Sequence, residues 1–230
     1  MIKLERTDVM NMENAIRGMR NPMNSWDKSD SYYGCCDGGK ICSGCTRCEY
    51  RECYNANRLY YIGPNDLGLA QRLCNAGSDH RKFLRQIFVS VDITAPLYFW
   101  KEYDTYKVGT TANSTSTMHK IHVKAFEVTD FSYDKLHADG IDTLKTLLEV
   151  LNCYRDKFNK TKNKDFWYGM IQLLPSSYNQ MRTCTMTYEN LRNMYHARKN
   201  HKLEEWRTFC EWVETLPYAT ELIVGGVSNE

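Results

Sequence analysis

The stretch IFVSVDITAPLYFWKEYDTYKVGTTANSTSTMH, residues 87–119, decides the fold. Its first seven residues alternate. Ile87, Val89, Val91 and Ile93 fall on one side and Phe88, Ser90 and Asp92 on the other, the period of a half-buried strand. Thr94-Ala95-Pro96 then opens a helix, with Pro near the first turn, where a missing N–H is least harmful. The aromatic run LYFWKEYDTYK carries that helix to Gly109. From Gly109 to Thr117 every residue is small or polar. Thr, Asn and Ser bury poorly and favour turns and caps over helix interiors, so this run reads as a turn-prone polar segment. Its hydroxyl, amide and backbone N–H groups suit a phosphate or a pyrimidine edge, and Lys107 stands just before it as a counter-charge; a plain surface loop explains the composition as well.

Working outward, Asn65 or Asp66 is placed to cap a short helix, LGLAQRLCNA, that Gly77 stops, and Ser78 to cap DHRKFLRQ. Met118 to Tyr133 reads as extended. GIDTLKTLLEVLNCYRDKF puts Ile141, Leu144, Leu148, Leu151, Tyr154 and Phe158 on one helical face. KNKDFWYGMIQLLP is a further helix ended by Pro175, and Thr187 caps YENLRNMYHARKN. Leu203, Trp206, Cys210, Val213 and Leu216 repeat at helical spacing before Pro217. The fold class is α+β: a small mixed or antiparallel sheet packed with several helices, without βαβ alternation or internal repeat. Residues 1–28 form an N-terminal segment of the main domain, 29–63 a Cys-rich insertion, 64–224 the main α+β domain and 225–230 a tail.

Composition bounds the function. At 230 residues with 42% hydrophobic and 25% charged residues the chain supports one good core. A net charge of +2 advertises neither nucleic acid nor an anionic membrane as partner. No stretch approaches the roughly 20 apolar residues of a membrane span, and the N-terminus lacks an apolar signal core, so a cytoplasmic protein is expected. Common catalytic signatures, including Walker, G-x-G-x-x-G, G-x-S-x-G and H-E-x-x-H, are missing. Glu102 and Asp104 read as a solvated or capping pair.

Cysteine is the anomaly. Of ten, six lie between Cys35 and Cys53 in CCDGGKICSGCTRCEYREC. Cys42, Cys45, Cys48 and Cys53 carry metal-ligand spacing, for zinc or an iron–sulfur cluster, and a metal-dependent interaction module is one reading of this segment. Cys74, Cys153, Cys184 and Cys210, scattered through periodic segments, read as small buried hydrophobes.

A second polar constellation lies on the helix after Thr187, where Arg192, Tyr195, His196 and Lys199 recur at three- and four-residue spacing. Taken in order, the chain resembles the flavin-dependent thymidylate synthases over residues 83–215. Thr111-Ala-Asn113-Ser-Thr-Ser116 resembles the family's S-x-N-x-x-S segment; Leu174-Pro175 with Ser177 and Tyr178 is similar to its leucine-proline segment; Asn190-Leu-Arg192, His196, Arg198 and Trp206 resemble its N-x-R helix. The resemblance implies a homotetramer binding FAD and deoxyuridine monophosphate (dUMP) at subunit interfaces, with methylenetetrahydrofolate as carbon donor and NADPH as reductant. It implies flavin contacts for Lys107, Asn190, Arg192 and His196, nucleotide contacts for Thr111, Asn113 and Ser116, and both a catalytic and a substrate-binding role for Arg198. Where the family has R-H-R this chain has Thr105-Tyr106-Lys107, and where it has R-Y this chain has Met118-His119. Those departures keep open a pyrimidine hydroxymethylase or a non-catalytic nucleotide-binding homologue.

Overall fold

The computed structural model describes residues 2–35 and 58–225. In chain order the elements are β1 (Lys3–Met10), α1 (Met12–Gly18), β2 (Tyr32–Cys35), β3 (Arg58–Tyr61), α2 (Pro64–Asn75), β4 (Phe88–Pro96), α3 (Leu97–Tyr103), β5 (Thr111–Ser114), α4 (Ala138–Thr161), α5 (Lys164–Leu173), β6 (Asn179–Thr187), α6 (Tyr188–Arg198) and α7 (Glu204–Glu214). They are joined by short 3₁₀ turns, and a π-helical turn covers Thr220–Val224. The α+β class expected from the sequence is the one observed. The described residues pack as two compact units, one drawn from 2–8, 89–186 and 197–213, the other from 9–35, 58–88, 187–196 and 214–225.

The first unit is built on a four-stranded sheet in the order β1-β4-β6-β5. β4 alternates as its sequence demands: Val89, Val91, Ile93 and Ala95 are buried, while Phe88 is exposed and Ser90 and Asp92 lie half-buried. α3 follows without a loop because Pro96, in extended conformation, caps it. The indole of Trp100 donates to the carbonyls of Ala95 and Gln180, both at 3.0 Å, so a large fully buried ring enters the core with its one polar atom satisfied. Phe99 centres an aromatic cluster, 4.7 Å from Trp206 and 5.4 Å from Trp100 between ring centroids. α7 presents Trp206, Phe209, Cys210 and Val213 to this core, the spacing read from the sequence. A second core joins α4 to α5 through Leu144, Leu148, Leu151 and Met170. At Gly169 a Cβ would come within 2.5 Å of the Tyr154 ring, so the close approach of the two helices requires glycine there.

Four local expectations are corrected. Met118 to Tyr133 is not extended: it forms turns whose Ile121, Phe126 and Phe131 are buried in the α4–α5 core. α3 stops at Tyr103 and gives way to a 3₁₀ turn, Asp104–Tyr106. Ser78 precedes turns and a 3₁₀ segment, Lys82–Gln86, rather than an α-helix. The polar run after Gly109 supplies a strand, β5, instead of remaining a loop.

In the second unit α2 starts at Pro64 with Gly63 as N-cap, and neither Asn65 nor Asp66 caps it. Asp30 does, accepting from the N–H of Asn65 at 2.9 Å and of Asp66 at 3.1 Å. Asp66 is fully buried instead and receives Arg20 at 2.5 Å and the hydroxyls of Ser29 at 2.6 Å and Ser31 at 2.5 Å. Removing either charged partner would strand a buried ion. β2 and β3 pair as an antiparallel ribbon in which Tyr33 faces Tyr60 and Tyr32 faces Tyr61. Cys42, Cys45, Cys48 and Cys53 lie outside the described residues. Among the described residues no helix is long and apolar enough to cross a membrane.

Candidate functional site

The polar run begins at a tight turn. Gly109 sits at φ 80°, a left-handed conformation that a side chain resists, and Thr110 N–H closes the turn onto Lys107 O at 3.3 Å. β5 then pairs antiparallel with β6, Thr111 opposite Thr185 and Asn113 opposite Thr183. Residues two apart on a strand share a face, so Thr111 and Asn113 project together with Thr183 and Thr185. The whole of β5 is exposed, and Lys107 is exposed beside it. Thr183 donates to Asp92 at 2.5 Å, extending the row of hydroxyl and carboxylate groups onto β4. Ser116 serves differently: its Oγ accepts from the N–H groups of Met118 at 3.2 Å and His119 at 2.8 Å, which shapes the turn that leaves the strand.

Arg198, at the end of α6, lies in an aromatic and acidic setting within the first unit. Its Nε donates to the Tyr106 hydroxyl at 2.9 Å, and its guanidinium stands 5.0 Å from the Trp206 ring centroid and 5.6 Å from that of Tyr106. Glu102 organises the group: one carboxylate oxygen accepts the Trp206 indole N–H at 2.6 Å and lies 3.4 Å from Arg198 and 3.5 Å from His201. Asp104 takes Arg182 at 2.7 Å, and Arg182 stacks on Trp100 at 4.1 Å. Glu102 and Asp104 are therefore ion-pair partners of two arginines, not a solvated pair. Sequence reasoning missed this role, because the partners lie far along the chain, Trp206 104 residues from Glu102 and Arg182 78 from Asp104. The packing guanidinium planes favour bidentate, planar recognition.

The three other residues of the N-x-R helix belong to the second unit. Asn190 and Thr187 form a reciprocal cap: Asn190 Oδ1 accepts from Thr187 N–H at 3.1 Å and Oγ1 at 2.7 Å, and Asn190 N–H donates to Thr187 Oγ1 at 3.2 Å. The sequence placed Thr187 correctly as the cap. Arg192 is 2% exposed, and one guanidinium nitrogen donates to the carbonyls of Leu222 (3.0 Å), Ile223 (3.0 Å) and Gly225 (2.8 Å). Burial pushes its pKa below the usual arginine value. His196 Nε2 lies 3.0 Å from Ile223 O. These bonds hold the C-terminal π-helical turn.

The other buried reactive groups are quiet. Burial raises the thiols of Cys74 and Cys184 to about 11, so both stay protonated and inert. Cys210 is buried, whereas Cys153 is exposed and departs from the buried role read for it. Among the described residues no group of three or more His, Cys, Asp or Glu side chains is arranged to hold a metal ion.

No protein-family model matches the chain, and no curated protein matches its sequence. Solved structures do. Two crystal structures of thymidylate synthase X (ThyX) from Helicobacter pylori, each with FAD and dUMP, are similar to it with a TM-score of 0.63. One is 14% identical and covers 97% of each chain; the other is 15% identical and covers 96% of this chain and 97% of its own. At that identity the likeness extends to the fold: this chain is folded like the flavin-dependent thymidylate synthase ThyX.

Proposed function

We propose that this chain binds a pyrimidine deoxynucleotide, dUMP, and carries out its reductive C5-methylation as a flavin-dependent thymidylate-synthase-like enzyme. Methylenetetrahydrofolate would be the carbon donor and NADPH the reductant, in a cytoplasmic homotetramer. One observation carries the reading. The T-x-N-x-x-S run supplies an exposed end strand of the sheet, Thr111–Ser114, and the turn after it, in a chain whose fold is similar, along nearly its whole length, to a protein holding FAD and dUMP.

The chain's own residues account best for the nucleotide end. Thr111 and Asn113 offer hydroxyl and amide groups from one strand face, a donor set that suits a phosphate ester or a pyrimidine edge, and Lys107 adds a cation. Ser116 fixes the turn behind them. Arg198, held flat by Trp206 and Tyr106, orients a planar group rather than moving a proton. FAD when bound supplies hydride chemistry. Hydrogen bonds of Asn190, Arg192 and His196 go to the chain's own cap and C-terminal carbonyls, and flavin contacts from these three enter the proposal by likeness of fold.

That same observation favours a second reading, a nucleotide-binding homologue without flavin chemistry. Thr105-Tyr106-Lys107 keeps one cation where the resembled signature has three basic residues. Separate titrations of the purified protein with FAD and with dUMP, followed by a thymidylate-formation assay, discriminate. Binding of both with product formed supports the enzyme; dUMP binding without FAD supports the homologue; binding of neither sinks both.

A further inference from the structure

The second unit contains a cavity of about 640 Å³ that the nucleotide reading does not use. It lies where the first turn of α1, the β2–β3 ribbon and the segment at Pro217 and Tyr218 meet. Four of its lining residues are tyrosines, and Tyr33 and Tyr60 face each other across the ribbon with ring centroids 5.2 Å apart. Among the described residues that line it there is no Lys, Arg or His, and the one charged side chain is Glu13; Arg17 and Arg20 line the neighbouring pocket on the other side of Tyr33 and Tyr60. Glu13 accepts the Tyr33 hydroxyl at 2.8 Å, and that hydrogen bond is the largest cause of a raised Tyr33 pKa, so the phenol stays a neutral donor.

The backbone is held under strain at this place. Of the five non-glycine residues with positive φ among the described residues, two line the cavity: Asn11 at 68° and Tyr218 at 55°. For a residue as bulky as tyrosine this conformation is rare, and such strain concentrates at ligand sites. Both are pinned. Asn11 Nδ2 donates to Gln86 O at 2.9 Å and its Oδ1 accepts from Asn14 at 2.7 Å, while the Tyr218 hydroxyl accepts from Ile62 N–H at 2.8 Å.

Aromatic faces carry negative potential and attract a weakly hydrated cation; a lone carboxylate at the rim adds to that attraction and repels phosphate. We propose that this cavity is a binding site for a small organic cation, of the quaternary-ammonium type, held against the rings of Tyr33 and Tyr60 and beside the carboxylate of Glu13. The site is separate from the nucleotide proposal and does not depend on it.

The test uses the full chain and calorimetric titration with choline and with its neutral isostere 3,3-dimethylbutan-1-ol. The expected result is choline binding at least fivefold tighter than the isostere, which is the discrimination two cation–π contacts at partly exposed rings supply. Glu13→Gln should weaken choline at least fivefold with an unchanged melting temperature. Tyr33→Phe, which keeps the ring and frees the carboxylate, should bind choline as well as or better than the parent, so a folding defect in the first variant does not decide the matter. Equal binding of choline and the isostere, no choline binding at millimolar concentration, or inorganic phosphate displacing choline would each overturn the proposal.

Discussion

Arg192→Leu separates a structural from a cofactor role for the N-x-R helix. In the parent, one nitrogen of a guanidinium 2% exposed donates to three backbone carbonyls of residues 222–225. That nitrogen has two N–H groups, shared among the three carbonyls, and a hydrogen bond from a charged donor contributes about 1.5–3 kcal/mol, so the gross loss is about 3–6 kcal/mol. Leucine returns part of that, because it removes the cost of keeping a cation buried, the same burial that lowers the arginine's pKa. Leu222 and Ile223 are fully buried, so their carbonyls find little water in exchange. The net expectation is a loss of about 2–3 kcal/mol, or about 5–10 °C in midpoint for a chain of this size. Thermal unfolding measures the first quantity, and limited proteolysis should cut the variant near residues 220–225 at protein concentrations where the parent is intact. The reasoning is refuted if the midpoint stays within 1 °C and the C-terminal turn remains protected while FAD binding is abolished, because Arg192 would then act on a ligand and not on its own chain.

Arg198→Lys keeps the charge but loses both the planar fork and the stacking on Trp206 and Tyr106; dUMP affinity should fall about tenfold while stability changes by less than about 1 kcal/mol, measured by calorimetry and urea unfolding. Asp66 provides a pH test. Burial pushes its carboxyl up, but Ser29, Ser31 and Arg20 outweigh that and hold it below the ordinary value. A depressed folded-state pKa contributes stability above the unfolded value of about 4 and loses it as pH falls through the folded one. Urea midpoints should therefore drop below about pH 4, and Asp66→Asn should flatten that acid limb while costing about 3 kcal/mol at pH 7 by leaving Arg20 buried without its anion. An acid limb of unchanged steepness in Asp66→Asn would count against the assignment.

What the sequence disclosed and what it hid follow from the range of the interactions. β4 was legible because one of its faces is buried and the other is not, so period two is written into Ile87 to Ile93. α4 and α7 were legible for the same reason at helical period, and Thr187 because a cap acts within three residues. The segment 118–133 was not, since its buried anchors Ile121, Phe126 and Phe131 recur every five residues, a spacing that belongs to neither strand nor helix. The cap of α2 was hidden because Asp30 is 35 residues from the Asn65 N–H it holds. At the candidate site, the hydroxyl run announced itself by composition. The role of Glu102 did not: its indole partner is 104 residues away.

The arginine environments limit what the polar strand must do. Arg182 is neutralised by Asp104 and stacked on Trp100; Arg198 is drawn to Glu102 and stacked on Trp206. Two guanidiniums that would elsewhere supply bare positive charge are thus presented as flat, partly compensated surfaces. Lys107, exposed, stands outside both ion pairs and is the remaining cation of the three-residue stretch that replaces R-H-R. Long-range attraction for a phosphate is correspondingly weak in this region, and ordinary salt screens a single exposed charge beyond about 8–10 Å. Selection of a nucleotide would then fall to short-range geometry: hydroxyl and amide groups of Thr111 and Asn113 two residues apart on one strand face, and a planar ligand meeting a guanidinium whose orientation Tyr106 and Trp206 have already fixed. Such a site depends on holding its donors in place, and the direct pairing of β5 with β6 is what holds them.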